Sequence, residues 1–333
     1  MKISSICFND GEIKHTIDST GLNGVCDITK RKGTVLDIEY FSDFFSGLLN
    51  VFDESTTSKV SLAQQIQKDW NIFSDETTAN TILSECIKLY RPKFNSQQVE
   101  YIPQISDFIA LWQQIRESLQ HQNHYFTNFK KWYPEDPLLE KYLVADELVS
   151  KGSLFYRGRV LPDKKGYYQK KDMGCPPPDK VNAGRANPIG IPYLYLCSEK
   201  DTTYYEVRAR FMDRISIGEF AATRDLNIVN FASKVSLFLS SHSGNLVELI
   251  KKKLLLNAIS NDMSKPLTRY DTEIEYVPTQ CICELCKLNR ADGICFESSL
   301  KKGGFNYVLF NAMDAECVDV KTVHITEVII KAE

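Results

Sequence analysis

The chain has 333 residues, 43% of them hydrophobic and 25% charged, which excludes a disordered, collagen-like or fibrous protein. Its 40 basic residues stand against 43 acidic ones, a net charge of −3 that is the wrong sign for a dedicated nucleic-acid binder, so no nucleic-acid partner is expected. No apolar run approaches the roughly 18 residues of a membrane span, and the start, MKISSICFND, has no hydrophobic signal-peptide core. With no membrane partner and no export signal, the expected compartment is the cytoplasm, where the ten cysteines would be free thiols.

Charge divides the chain. Residues 1–150 carry 14 basic and 21 acidic side chains, a net −7, and residues 151–333 carry 26 and 22, a net +4. The basic excess is densest at 151–185, with nine Lys or Arg against three Asp or Glu, which suits a small anionic ligand better than a long polyanion. A solvated surface with chance clustering accounts for the same charge equally well.

In chain order, Cys7 and Cys26 come first, each in a turn-like context. They resemble halves of a pair of zinc knuckles, with Ser4 and Thr29 where partner cysteines would stand. Two thiolates cannot close a four-ligand structural site, so no zinc is expected. Apolar residues three and four apart then predict helices at 60–72, 79–90, 105–121 and 138–150. Beyond residue 150 the texture changes to short β-rich runs at 154–160, 192–197, 215–220, 226–231, 307–311 and 323–330, with helices at 234–258 and roughly 266–290. The expected fold class is α+β: a mainly helical domain over 1–150, then a domain over 151–333 with a largely antiparallel or mixed sheet.

Several motifs yield ordinary readings. Cys283 and Cys286 have CxxC spacing and Cys281 precedes them, but TQCICELCKLNR reads as one amphipathic helix, and no second ligand pair follows. Arg116 and His121 share one helical face and fit a phosphate-holding arginine with an acid–base histidine; the solvent face of an amphipathic helix is the favoured reading. GxGxxG, GxxxxGK[ST] and GxSxG are all absent, which leaves Rossmann, P-loop and acyl-transfer chemistry without support.

What remains is a polar set within the β-rich runs: Arg157 in LFYRGRV, Arg185 in NAGRANPIG, Tyr195 in PYLYLC, Glu206 in TTYYEVRAR and Ser298 closing GICFESS. Singly, each has a bland alternative: a strand-edge arginine, a packed tyrosine, a helical glutamate paired with arginine, a turn serine. As a set they are chemically coherent. Guanidinium forks clamp a diphosphate, an aromatic ring stacks on a flat base, and a carboxylate stabilises a developing sugar cation.

The blocks YRGR (156–159), GRANPIGIPYLYL (184–196), TTYYEVR (202–208), YVPTQ (276–280), DGICFESS (292–299) and YVLF (307–310) resemble, in this order, the RES-domain family of bacterial toxins. The first domain is similar to the N-terminal extension of longer members, which begins with a cysteine knuckle; Ser4 and Thr29 depart from that pattern. RES domains are similar in fold to ADP-ribosyltransferase toxins. The resemblance implies an enzyme that uses NAD as substrate, without a bound cofactor or metal. It would cleave the nicotinamide–ribose bond and pass the ribose to water or phosphate, as a toxin or in phage defence.

Residue by residue, the resemblance matches the family arginines to Arg157 and Arg185, its tyrosine to Tyr195, its glutamate to Glu206 and its serine to Ser298. For the implied reaction, Glu206 would stabilise the ribose cation, Arg157 and Arg185 would hold the diphosphate with one of them also placing an incoming phosphate, Tyr195 would stack on nicotinamide, and Ser298 would hydrogen-bond the carboxamide or its ribose. Arg159 is a second candidate beside Arg157, and Ser299 beside Ser298. The resemblance also implies a regulator, either a cognate antitoxin or the first domain acting as gate or sensor, and leaves room for a homodimer. Two alternatives stand beside this one. A protein ADP-ribosyltransferase would use the same residues; an RNA-directed or non-catalytic protein would depend on the helical half, through Arg116 and His121.

Overall fold

The computed structural model describes residues 1–124, 141–162, 166–232, 236–241, 245–265 and 273–329. It divides into two compact units that interleave in sequence: 1–112 with 234–255, and 113–233 with 256–333. The sequence reading instead put one cut near residue 150.

The N-terminal stretch is mainly helical, but it carries two small sheets that helical periodicity could not reveal, because their strands run only two to six residues. β1 (Lys2–Ile3), α1 (Gly11–Thr20), β2 (Leu22–Val25) and β3 (Lys32–Asp37) lead to α2 (Ser42–Leu49) and β4 (Phe52–Glu54). Then come α3 (Leu62–Trp70), α4 (Glu76–Tyr90), β5 (Val99–Tyr101) and α5 (Pro103–His121). The strands pair antiparallel in the orders β1-β3-β2 and β4-β5. Local chemistry sets the helix starts. Asp10 accepts the Glu12 and Ile13 amides, Ser61 and Gln64 form a capping box, and Asp75 accepts the Thr78 amide.

The second unit is built on a sheet of eight strands: β6 (Glu147–Val149), β7 (Leu154–Val160), β8 (Leu194–Cys197), β9 (Arg214–Ala222), β10 (Leu226–Asn230), β11 (Gly293–Glu297), β12 (Phe305–Leu309) and β13 (Ala315–His324). Their order is β13-β9-β7-β8-β12-β11-β10-β6, and every neighbouring pair is antiparallel except β10 with β11. The mixed sheet expected from sequence is therefore present. Helix α6 (Lys200–Glu206) follows β8, α7 (Leu237–Ser241) and α8 (Leu246–Ser264) follow β10, and α9 (Val277–Leu288) precedes β11.

Four expectations change. Of the helix expected over 138–150, residues 138–140 lie outside the described residues, and Glu147–Val149 instead form strand β6, because Val149 is buried, Leu148 exposed, and their backbone pairs with the edge of β10. The helix over 234–258 is two helices, the second started by Asn245, whose side chain accepts the Val247 amide. Of the helix over 266–290, residues 266–272 lie outside the described residues, and the rest begins at Val277 with Pro278 in its first turn. The last strand starts earlier, at Ala315, since β9 offers it partners from Ala222 to Arg214.

Helix α7 belongs to the first unit because of its aromatic packing. Phe238 sits edge-on to Phe41 and Phe44, with centroids 5.2 and 5.5 Å away, in a core that includes Phe45 and Phe73. The second unit has its own core across the sheet, including Phe155, Leu194, Phe220, Ile228 and Leu309.

Candidate active site

A cavity of about 560 Å³ opens within the second unit, a volume typical of a small-molecule site. Arg157, Arg185, Tyr195 and Glu206 all line it. The structure thus gathers residues up to 49 positions apart in sequence around one space, together with Arg208 and Lys265. Among the described residues that line the cavity, Glu206 is the one carboxylate, against four cations. The cavity therefore favours a ligand with more than one negative charge.

Arg157 is in β7, opposite Gly218 of β9. Its Nη1 is buried and has no hydrogen-bond partner among the described residues. Burial, and then the neighbouring Arg159, lower its pKa below the ordinary guanidinium value. Residues i and i+2 of a strand share a face, so the sequence sets two cations side by side where like charges repel. Arg159 takes a different part. Its Nη2 donates to the Gly174 carbonyl at 2.6 Å, which ties the 166–174 stretch to the strand, and it does not line the cavity.

Arg185 is held from several sides. Its Nη1 donates to the Asp262 carbonyl at 2.8 Å, and its guanidinium lies 5.4 Å from the centre of the Tyr276 ring. Its own carbonyl accepts the Thr279 hydroxyl at 2.6 Å. The loop carrying it is fixed by Tyr195, whose hydroxyl donates to Asn187 Oδ1 at 2.7 Å and accepts the Ala186 amide at 3.1 Å. Burial pushes that phenol above its ordinary pKa, so it stays a protonated donor. A Cβ on Gly184 would lie 2.5 Å from Asn187 Oδ1 and 2.8 Å from the Tyr195 hydroxyl, which explains the glycine.

Glu206 ends helix α6, where the helix dipole disfavours a carboxylate. Two donors offset this. Ser298 Oγ and Asn306 Nδ2 both reach Glu206 Oε1 at 2.7 Å, while Oε2 has no hydrogen bond among the described residues. Ser298 is buried behind the carboxylate, and its Oγ also accepts the Leu300 and Lys301 amides at 3.2 Å. Ser299 does line the cavity, but its hydroxyl donates to the Ser264 carbonyl. Of the two serines, only Ser298 contacts Glu206.

Sequence reasoning missed Asn306, Asn187, Cys197 and Lys265. Asn306 lies opposite Cys197 on β8 and Phe296 on β11, and Cys197 Sγ donates to its Oδ1 at 3.5 Å, which orients the amide nitrogen towards Glu206. The thiol is a protonated donor, since burial and the nearby Glu206 push it up to about 12. An asparagine inside the apolar run FNYVLF was the available signal.

The other candidates fall elsewhere. Arg116 pairs with Asp262 at 3.2 Å and Glu275 at 3.9 Å, so its guanidinium is engaged by carboxylates. Cys281, Cys283 and Cys286 are free thiols on α9, and burial raises all three. Among the described residues, no group of three or more His, Cys, Asp or Glu is placed to hold a metal, and no helix is long and apolar enough to cross a membrane.

The family model of the RES domain matches residues 158–330. The chain belongs to the RES-domain family. The matched span of this RES protein takes in Arg159, Arg185, Tyr195, Glu206 and Ser298, and begins one residue after Arg157. No curated protein matches the chain. Among solved structures, a chain of the M. tuberculosis MbcT–MbcA toxin–antitoxin complex is similar at 12% identity and a TM-score of 0.33, over 57% of this chain and 93% of that one.

Proposed function

We propose that this RES protein cleaves the bond between nicotinamide and ribose in NAD, with water or phosphate as the acceptor. The observation that carries the reading is the pairing, across one cavity, of a buried Arg157 Nη1 that has no hydrogen-bond partner among the described residues with a carboxylate clamped through a single oxygen at Glu206. Arg157 and Arg185 bind the diphosphate, and Tyr195 keeps the Arg185 loop in shape while its ring faces the nicotinamide end.

Nicotinamide needs no general acid. The electron pair of the breaking C–N bond neutralises its pyridinium ring, so it departs uncharged. The positive charge moves to the ribose ring, where the free Oε2 of Glu206 stabilises it. An acceptor oxygen then bonds to the ribose carbon. Water yields ADP-ribose and a released proton; phosphate yields ADP-ribose phosphorylated at that carbon. None of these steps requires a histidine.

An enzyme of this kind would deplete its host of NAD, so a cognate antitoxin or other regulatory protein belongs to the proposal. The test is to incubate the full chain with NAD and follow nicotinamide by chromatography, with and without phosphate, alongside Glu206→Ala. Nicotinamide release that the substitution abolishes is expected, and a phosphate requirement would mark phosphorolysis. Release that survives Glu206→Ala, or none from the wild-type chain in either buffer, would overturn the assignment.

A further inference from the structure

Away from this cavity, the first unit contains a pair of thiols in van der Waals contact. Cys7 Sγ and Cys26 Sγ lie 3.7 Å apart, with both residues essentially buried at 1% and 0% exposure. Each sits in a turn: Cys7 ends the single 3-10 turn Ser5–Cys7, and Cys26 opens the connection from β2 to β3. Their neighbours in sequence are also joined, because the Asp27 amide donates to the Lys2 carbonyl at 2.8 Å and the Lys2 amide to Asp27 Oδ2 at 2.7 Å.

We propose that Cys7 and Cys26 form a dithiol site that a small peroxide converts reversibly into an intramolecular disulfide, with Cys26 as the attacking sulfur and Cys7 as the resolving one. Bond formation brings the sulfurs from 3.7 Å to the bonded separation of about 2.04 Å. The surroundings distinguish the partners. The Thr29 amide donates to Cys26 Sγ at 3.5 Å. Against a desolvation that pushes it up, hydrogen bonds from Ser4, Thr29 and Ile28 hold the Cys26 thiol down to about 6. Cys7 is raised, by burial first and by Cys26 itself. The two sulfurs are thus unequal, Cys26 held down by its hydrogen bonds and Cys7 raised by burial, the division of labour that exchange chemistry uses.

The steps balance. Cys26 thiolate attacks one oxygen of hydrogen peroxide, breaking the O–O bond and releasing hydroxide, which leaves a sulfenic acid on Cys26. Cys7 sulfur attacks the sulfenic sulfur, the S–O bond breaks, and the thiol proton leaves with the oxygen as water. In sum, two thiols are oxidised and one peroxide is reduced to two waters; an added dithiol reductant reverses the change. Most other cysteines are poor competitors, since burial raises the thiols of Cys86, Cys197, Cys281, Cys283, Cys286, Cys295 and Cys317.

The test treats the full chain with one equivalent of hydrogen peroxide and maps it without reduction. The expected result is a mass lower by two hydrogens, a cross-linked peptide pair holding Cys7 and Cys26, reversal by dithiothreitol, and a melting temperature raised by roughly 5–10 °C from closure of the loop between them. In Cys7→Ser, the sulfenic acid should persist on Cys26 and be captured by dimedone added together with denaturant, since Cys26 is buried in the folded chain. A map that links other cysteines, or leaves both thiols free while others oxidise, would overturn the proposal, and a dimedone adduct elsewhere would overturn the role of Cys26. Should the variant not fold, the wild-type map alone decides.

Discussion

The clamp on Glu206 predicts a graded loss of turnover. Ser298→Ala and Asn306→Ala each remove one 2.7 Å donor from Oε1. A hydrogen bond to a charged group contributes roughly 1.5–3 kcal/mol. Glu206 is exposed, so water replaces part of each lost bond, and the lower end applies: about 1.5 kcal/mol, or roughly tenfold in kcat for each variant. KM should barely move, because in the proposed reaction the clamped carboxylate would meet charge formed only on the way to reaction. The two donors share one oxygen, so the survivor partly compensates in either single variant. The double variant should therefore lose more than the product of the single losses. Ser298→Ala should also lower the melting temperature, since it strands the Leu300 and Lys301 amides; Asn306→Ala should not to the same degree. Steady-state nicotinamide release over a range of NAD concentrations measures both constants. Wild-type kcat in both single variants would refute the idea that these donors position Glu206.

Arg157→Met should raise the melting temperature of the ligand-free chain by a few degrees, since it removes a buried cation beside Arg159, while raising KM for NAD at least about tenfold; a lower melting temperature would count against the cost assigned to that charge. His121→Ala should leave nicotinamide release unchanged. Arg116→Ala should raise KM a few-fold by loosening Asp262, the residue whose carbonyl holds Arg185, and an unchanged KM would break that chain of contacts. Asp292 gives the pH dependence: despite desolvation, Arg224 and the Asn227 amide hold its carboxyl below the usual range. Its contribution is therefore present above about pH 4 and lost as pH falls through the depressed value. In thermal melts, wild type and Asp292→Asn should converge below about pH 4, and a constant gap down to about pH 2 would show that Asp292 is not the group responsible.

The polar residues of the site were readable because each stands out chemically from an apolar run, and ordered blocks such as YRGR and GRANPIGIPYLYL fix their sequence context. Their supports were not. Asn306 and Ser298 meet Glu206 only because β12 pairs with β8 and β11, and no local pattern encodes that register. The same limit explains β6: three residues of a short apolar stretch fit either period, and the free edge of β10 decides. It also explains the interleaved units, since Phe238 joins the first core through contacts with Phe41 and Phe44, almost two hundred positions away. A chain started at residue 150 would lack β6 and residues 113–149 of the second unit, so activity is best measured on the full chain.

Two local rules are broken around one cavity. Arg157 and Arg159 share a strand face, and Glu206 sits at the unfavourable end of a helix. The breaches differ in what relieves them. Glu206 is compensated inside the protein, by Ser298 and Asn306, so its geometry is set before any ligand arrives. Arg157 Nη1 has no partner among the described residues, and an anion would supply one. The first arrangement is suited to charge that develops during reaction, the second to charge that a ligand brings with it. If NAD is cleaved as proposed, the arginines would govern how tightly substrate is held and the clamped carboxylate how fast it reacts. Substitutions should therefore separate into KM effects on the cationic side and kcat effects on the side of Glu206.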